Sequence, residues 1–200
     1  MTATATATTM EDLWRQAWQS LREGKQRGRS AFHQGVLATQ SVQGPEARYV
    51  VLRQANEEGA SVSFNTDIRS AKAQQIRQTP RVSWCFYGDG LQIRINGIAT
   101  LHYDDDISRQ FWDQSSIASR RCYLGEYAPG SLVSLPELET AATLGNIPMT
   151  AQDEKIALDN FMSVQVKIEN MDVLLLQSGG HLRANFCIVE NSRHSQWLTP

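Results

Sequence analysis

The chain has 200 residues, of which 41% are hydrophobic and 20% are charged. This composition is typical of a globular protein that buries its own core. The 19 basic and 21 acidic residues give a net charge of −2, so the chain lacks the basic field that non-specific nucleic-acid binding needs. No apolar run reaches the length of a membrane span. We therefore expect neither a nucleic acid nor a membrane as partner.

The N-terminal segment MTATATATTM does not resemble a targeting sequence. It has neither the positive region nor the apolar region of a secretory signal, and it lacks the Arg residues of a transit peptide. We interpret residues 1–10 as a disordered tail and residues 11–200 as a single domain.

Cysteine and histidine usage indicates a reducing compartment and no bound metal. The three cysteines, Cys85, Cys122 and Cys187, are widely spaced and form no CxxC pair, which argues against a disulfide framework or a zinc site. The four histidines share no metal-ligand spacing. The sequence therefore predicts a cytoplasmic protein without a metal.

The first half of the chain alternates between apolar runs and turn residues. Apolar residues at helical spacing from Leu13 to Leu21 predict a helix that ends at Gly24. A short helix begins near Ser70 and stops before Pro80. Strands are predicted at 35–39, 48–53 and 60–64, and residues 65–67 are expected to interrupt the third of these.

Two strands and a bulge are predicted in the middle of the chain. Residues 82–87 and 91–101 form strands that a tight turn at residues 88–90 joins. Along the second strand, Leu91 and its alternate neighbours are apolar, which predicts one buried face. Gly97 marks a bulge or kink in this strand.

The second half is less regular. Asp104 is predicted to cap a helix that runs through Trp112, and Asp153 to cap a helix that reaches Phe161. Residues 115–150 are rich in Gly and Pro, and a loop of this length is usually functional or a lid. The remaining predicted strands are 164–168, 171–177 and 182–189.

Strands that follow one another through tight turns favour an antiparallel sheet or barrel over a doubly wound sheet. The predicted fold class is mainly β, of the α+β type, with short flanking helices. The sequence contains no GxGxxG and no GxxxxGK[ST] motif, so a Rossmann or P-loop site has no support.

Two segments carry the groups that a phosphate ester requires. Arg48 and Arg53 bracket an apolar strand, and residues 65–72 lead into a helix start that is rich in hydroxyl and cationic groups. Helix N–H groups, a hydroxyl, and Arg or Lys together match a phosphate. The alternative is a capped surface helix whose cations face water. Gln92, Arg94 and Asn96 likewise share one strand face, which either faces solvent or lines a ligand groove.

Four segments in order resemble the pyridoxamine 5′-phosphate oxidase family. They are RYVVLR (48–53), FNTDIRSAK (64–72), the strand after Pro80, and LQIRING (91–97). The order and spacing match over roughly residues 30–105, and the closing residues 197–200 are also similar to the end of that family. The resemblance implies an antiparallel split β-barrel that binds FMN. It also implies a homodimer with FMN at the two-fold interface.

The resemblance also implies roles for individual residues. Arg48 matches the Arg that binds the FMN phosphate, and Ser70 and Lys72 match the rest of its phosphate clamp. The family has an Arg where this chain has Ala71, and we expect Arg69 to substitute from the other side. The full set of residues predicted to bind FMN is Arg48, Tyr49, Val50, Val51, Arg53, Asn65, Thr66, Arg69, Ser70, Lys72 and Gln92.

The chain departs from the family in its expected substrate region. True oxidases carry an Arg-Pro motif and a Gln-Ser pair after the long strand, where this chain reads FWDQSSIASRRCYLG. Their C-terminal Arg-Leu-His-Asp-Arg run is here His181-Leu182-Arg183-Ala184-Asn185, and their preceding Trp is Leu176. Arg183 is retained as a substrate-binding candidate. These departures argue against oxidation of a B6 vitamer.

Three functions remain open from the sequence. The first is an FMN-dependent oxidoreductase that acts on an unknown small molecule, with the flavin supplying the redox chemistry. The second is a non-enzymatic FMN-binding protein, such as a flavin carrier or sensor. The third is a flavin-free barrel module of the oligonucleotide-binding kind, against which the near-neutral charge argues.

Overall fold

The computed structural model describes residues 9–134, 147–190 and 192–200. In these residues, the chain forms nine strands and five helices. The helices are α1 (Met10–Gln26), α2 (Ala71–Gln78), α3 (Asp106–Asp113), α4 (Ile117–Arg121) and α5 (Ala151–Asn160). The strands are β1 (Gln34–Ser41), β2 (Gly44–Val51), β3 (Gln54–Asn56), β4 (Ser61–Asp67), β5 (Arg81–Gly88), β6 (Leu91–His102), β7 (Phe161–Leu175), β8 (Leu182–Val189) and β9 (Ser192–Leu198).

The strands form one antiparallel sheet that curls into a barrel. Its order is β2-β1-β5-β6-β7-β4-β3, and β8 and β9 extend the sheet from β7. After β2 the chain runs beside β4. There the Arg53 N–H donates to the Ser63 carbonyl at 2.8 Å. This arrangement confirms the predicted mainly β fold, an antiparallel split barrel with short flanking helices.

Alternate residues of β1, β5 and β6 point into the barrel interior. Leu91, Ile93 and Ile95 of β6 are buried, as the alternation predicts. The register of β6 against β7 shifts between Asn96 and Gly97, which confirms the predicted bulge. A Cβ atom added at Gly97 would lie 2.1 Å from the Lys167 carbonyl oxygen, so only glycine fits this close approach.

Helix α1 packs on the barrel through its apolar stripe. Leu13, Trp18 and Leu21 are fully buried, as their helical spacing predicts. The helix begins at Met10, one residue before the predicted domain boundary, because Thr9 and Asp12 form a capping box. Residues 1–8 of the predicted tail lie outside the described residues.

A second apolar cluster lies on the outer side of β7. Phe111 and Trp112 of α3 pack there with Ala157 of α5 and Phe161, the first residue of β7. The segment that was predicted as irregular contains the short helix α4, and its residues 135–146 lie outside the described residues. Helices α3, α4 and α5 are called the helical cap below.

Two helix caps differ from the predictions. The N-cap of α3 is Asp105, not Asp104, because Asp105 accepts from the Ser108 N–H at 2.7 Å while Asp104 lies at φ +50°. The N-cap of α5 is Thr150, and Asp153 is its partner in the capping box. The predicted N-cap was therefore wrong by one position for α3 and by three positions for α5.

Three strand predictions were also wrong. Residues 65–67 continue β4 instead of interrupting it, because each of them pairs with β7. Residues 161–175 form one long strand where two were predicted. Strand β9 was missed, since its polar sequence at the sheet edge carries no apolar alternation. Among the described helices, none is both long and apolar enough to cross a bilayer.

We expect Gly97→Ala to destabilise the fold, because the new methyl group would collide with the backbone of β7. Overpacking of this kind costs about 1–3 kcal/mol in the free energy of unfolding, which urea denaturation would measure. Gly28→Ala is the matched control, since no atom lies within 4 Å of a Cβ there. Equal stability of both variants would contradict the close approach at Gly97.

Candidate functional site

A cluster of cationic and hydroxyl groups forms where β4 leads into α2. The Lys72 ammonium donates to the Thr66 hydroxyl at 3.1 Å, and the Thr66 and Ser70 hydroxyl oxygens are also 3.1 Å apart. Ser70 is the N-cap residue of α2, yet its side chain makes no capping hydrogen bond. Thr66 and Ser70 are both buried. The turn after Asp67 therefore holds two buried hydroxyls beneath the start of a helix.

Arg48 reaches the same helix from β2. Its guanidinium donates to the Thr39 hydroxyl and, at 3.1 Å, to Oε1 of Gln75, which lies one turn beyond Lys72 on α2. It also forms an ion pair of 3.0 Å with the exposed Glu46 carboxylate. Arg48, Thr66, Ser70 and Lys72 are called the cationic cluster below.

The electrostatics of the cluster favour an anion. Burial lowers the pKa of Lys72, and the nearby positive charge of Arg48 lowers it further, while Asp67 opposes both effects. Two cations are thus held close enough to repel each other beside a helix N-terminus. A doubly charged ester placed between them would relieve this repulsion and accept from the buried hydroxyls. The residues of the cluster fit the phosphate group of FMN.

Arg69 does not join the cationic cluster. Its guanidinium binds the buried Asp67 carboxylate at 2.7 Å and 3.0 Å. It also donates to the carbonyl oxygens of Gly125 at 3.0 Å and Glu126 at 3.3 Å. Arg69 thus fastens the segment after α4 to the end of β4. The substitution of Arg69 for the Arg missing at Ala71 finds no support in these contacts and stays a prediction.

The other residues predicted to contact the flavin ring lie mostly on one open face of the sheet. The side chains of Tyr49, Val51 and Gln92 point away from the barrel core. The face of the sheet that carries them is called the outer face below. Tyr49 is 71% exposed, whereas Val50 points into the core and is 8% exposed. Val50 therefore offers only its backbone to a ligand on the outer face.

Arg53 and Asn65 line a separate cavity of about 340 Å³ between the barrel and the helical cap. Successive residues of a strand point to opposite faces, so Asn65 faces this cavity while Thr66 belongs to the cationic cluster. The Asn65 Oδ1 atom is buried and finds no partner among the described residues. The full lining is Lys25, Leu52, Arg53, Asn65, Phe111, Gln114, Ser115, Ser116 and Ser119.

Sequence reasoning missed the contribution of Lys25 and the serines to this cavity. Lys25 lies in the last turn of α1, where a basic residue is ordinarily explained by the helix dipole. The serines belong to the segment that was recognised as irregular, but no pattern indicated that it folds against Arg53. The lining carries two cations and no acid, so the cavity is suited to a small anion.

Arg183, the substrate-binding candidate, lies on β8 and donates to the carboxylate of Asp172 at 2.9 Å and 3.1 Å. Arg94 of β6 donates to the same carboxylate at 2.9 Å. Asp172 was not predicted from the sequence, because its partners lie 78 and 11 positions away along the chain. The residues that the structure describes contain no group of three or more His, Cys, Asp or Glu placed to hold a metal ion.

Comparison with known proteins agrees with this geometry. Residues 11–103 match the family model described as pyridoxamine 5′-phosphate oxidase, FMN-binding domain. None of the curated proteins matches the sequence. A solved structure of a pyridoxamine 5′-phosphate oxidase-related, FMN-binding protein from Nostoc punctiforme is 25% identical and has a TM-score of 0.75. The similarity covers 98% of this chain and 100% of that one.

Two further solved structures share the fold. PhzG from Burkholderia lata, solved with tetrahydrophenazine-1-carboxylic acid, is 17% identical, with a TM-score of 0.67 over 98% of this chain and 95% of its own. A Clostridium acetobutylicum protein related to general stress protein 26 is 10% identical, with a TM-score of 0.56 over 92% and 100% of the two chains. Over residues 11–103 the chain is similar to the pyridoxamine 5′-phosphate oxidase family, and this similarity supports FMN as its cofactor.

Proposed function

We propose that this flavin-binding protein is a homodimeric, FMN-dependent oxidoreductase that acts on a small anionic molecule. The observation that carries the proposal is the cavity under the helical cap. Two of its lining residues, Arg53 and Asn65, belong to the set predicted to bind FMN. A flavin carrier needs only a cofactor site, whereas an oxidoreductase needs a second site beside the flavin. The three free cysteines support a reducing compartment such as the cytoplasm.

The cationic cluster is proposed to hold the FMN phosphate. Arg48 supplies a planar fork of donors, Lys72 a point charge, and Ser70 and Thr66 their hydroxyl groups. Thr66 and Ser70 are both buried, which supports this role. The surrounding structure holds a buried hydroxyl in one position more firmly than solvent holds an exposed one. FMN supplies a ring that accepts a hydride when it is bound.

The cavity is proposed to hold the substrate. Arg53 and Lys25 offer positive charge to a carboxylate or phosphate, and the serines of the helical cap offer hydroxyl donors. Phe111 and Leu52 give the cavity an apolar side, where the reacting carbon of the substrate would avoid water. The cap that covers the cavity is the part of the chain that departs from true oxidases, so the substrate is expected to differ from a B6 vitamer.

We expect the double variant Arg48→Ala, Lys72→Ala to lose FMN. Each charge-assisted hydrogen bond contributes about 1.5–3 kcal/mol, so the pair should weaken FMN binding by at least about 100-fold. Flavin fluorescence titration of the apoprotein measures the change. Arg77→Ala removes an exposed cation from the same helix and serves as the control. An unchanged flavin content in the double variant would refute the phosphate assignment.

The outer face is proposed to form the homodimer interface. Tyr49 and Tyr87 are 71% and 58% exposed there, and they lie on one side of a recess of about 560 Å³. Large exposed aromatics on a sheet face are typical of protein interfaces. The predicted flavin contacts Val51 and Gln92 lie on the same face, so a second copy would enclose the ring.

We expect Tyr49→Asp to convert the dimer into a monomer, since it places a charge in the centre of an apolar contact. Sedimentation velocity measures the mass of the wild type and the variant. Tyr103→Asp is the control, because Tyr103 is 46% exposed beyond the end of β6. A wild-type protein that sediments as a monomer at all concentrations would contradict the proposed assembly.

Anaerobic reduction tests the enzymatic role. We expect NADH, NADPH or a member of a panel of small hydroxy, amino and cyclic carboxylic acids to bleach the flavin absorbance of the holoprotein. Arg53→Met should slow this reduction at least about tenfold at equal flavin content, because it removes a charged hydrogen-bond donor from the cavity. Arg77→Met is the matched control. Failure of the whole panel to reduce the flavin would favour the non-enzymatic FMN-binding protein.

A further inference from the structure

One ionic cluster on the outer face is not used by the function proposed so far. Asp172 of β7 is 4% exposed, and its carboxylate binds two guanidinium groups from the neighbouring strands. Arg94 of β6 and Arg183 of β8 each donate to its Oδ2 atom at 2.9 Å, and Arg183 adds a second bond to Oδ1 at 3.1 Å. Two positive charges and one negative charge give this cluster a net charge of +1.

Asp172 fixes the direction of both arginines. A buried carboxylate with two charged partners is costly to break, because any partner that leaves exposes an uncompensated charge. Arg183 is bound through two donors, whereas Arg94 uses one Nη2 donor and keeps its other donors free of partners among the described residues. Arg94 is also the more exposed of the two, at 45% against 26% for the side chain of Arg183.

Sheet register places Arg94 beside the residues predicted to contact the flavin ring. Gln92 precedes Arg94 by two positions on β6, so both side chains lie on the outer face about 7 Å apart. Across the sheet, Arg94 pairs with Cys85, Cys85 with Val36, and Val36 with Tyr49. Cys85, Val36 and Tyr49 all line the recess of about 560 Å³ on this face. Arg94 therefore lies at the edge of that recess.

We propose that Arg94, held in place by Asp172, raises the reduction potential of the bound FMN. A flavin ring that takes up two electrons and one proton carries one more negative charge than the oxidised ring. A guanidinium at the ring edge stabilises that added charge, and the low dielectric of a closed interface strengthens the effect. This inference rests on the proposed position of the ring on the outer face. Asp172 is a positioning residue, because it acts on the flavin only through Arg94.

The test measures the potential of the holoprotein and needs no knowledge of the substrate. Xanthine and xanthine oxidase deliver electrons slowly to the holoprotein and a reference dye, and the two absorbance spectra give the ratio of oxidised to reduced flavin. We expect Arg94→Gln to lower the preference for reduced over oxidised FMN about tenfold. For a two-electron couple, this change corresponds to a potential that is about 30 mV lower. Arg94→Met is a second neutral variant, should the first fold poorly.

Two controls separate charge from structure. Arg94→Lys keeps the positive charge. Its preference for reduced over oxidised FMN should stay within about threefold of that of the wild type. Arg81→Gln removes an arginine that is paired with Glu169 at 2.7 Å and should leave the potential unchanged. If the ion pair of Arg94 with Asp172 were only structural, Arg94→Gln would have a lower melting temperature and an unchanged potential. That result would overturn the inference. Loss of the dimer would show in sedimentation velocity, and loss of substrate turnover would show in anaerobic reduction. Both are separate from the measurement of the potential, so a failure of the proposed function is distinguishable from a failure of this inference.

Discussion

Repulsion between two cations at the start of α2 is the constraint around which the site is built. Arg48 and Lys72 come from different elements; burial lowers the pKa of Lys72, and the positive charge of Arg48 lowers it further. Hydrogen bonds to Thr39, Gln75 and Thr66 keep both side chains in place. Such an arrangement costs stability in the absence of an anion, and binding of a phosphate ester recovers that cost. The cluster is therefore suited to the phosphate site proposed above.

Strand β4 links this cluster to the rest of the site. Because side chains alternate along a strand, Thr66 reaches the cationic cluster while Asn65 reaches the cavity under the helical cap. Asp67 ends the strand and, through Arg69, fastens the segment after α4. Three consecutive residues therefore couple the proposed cofactor site, the proposed substrate site and the cap. A change in the twist or register of β4 would disturb all three at once.

The parts of the site that were predicted from the sequence are those encoded by local patterns. The start of α2 follows from composition, the roles of Ser70 and Lys72 from the family resemblance, and the buried face of β6 from alternation. The residues that sequence reasoning missed depend on contacts between distant segments. Asp172 meets Arg94 across 78 positions of sequence, and Arg69 meets Gly125 across 56. No periodicity or motif reports such pairs, because they exist only after the barrel has closed.

The start of α2 differs from the pattern of the pyridoxamine 5′-phosphate oxidase family at Ala71, and this difference led to the role expected for Arg69. With Ala71 in place of an arginine, the start of α2 has one cation fewer, and Arg69 is the nearest candidate in sequence to replace it. The structure commits Arg69 to Asp67 and to two carbonyl groups instead, so its charge is already balanced. Releasing it would leave the buried Asp67 carboxylate without its partner, which is strongly unfavourable. In the proposed site the phosphate is therefore left to Arg48 and Lys72, while Arg69 fastens the segment after α4 to the end of β4.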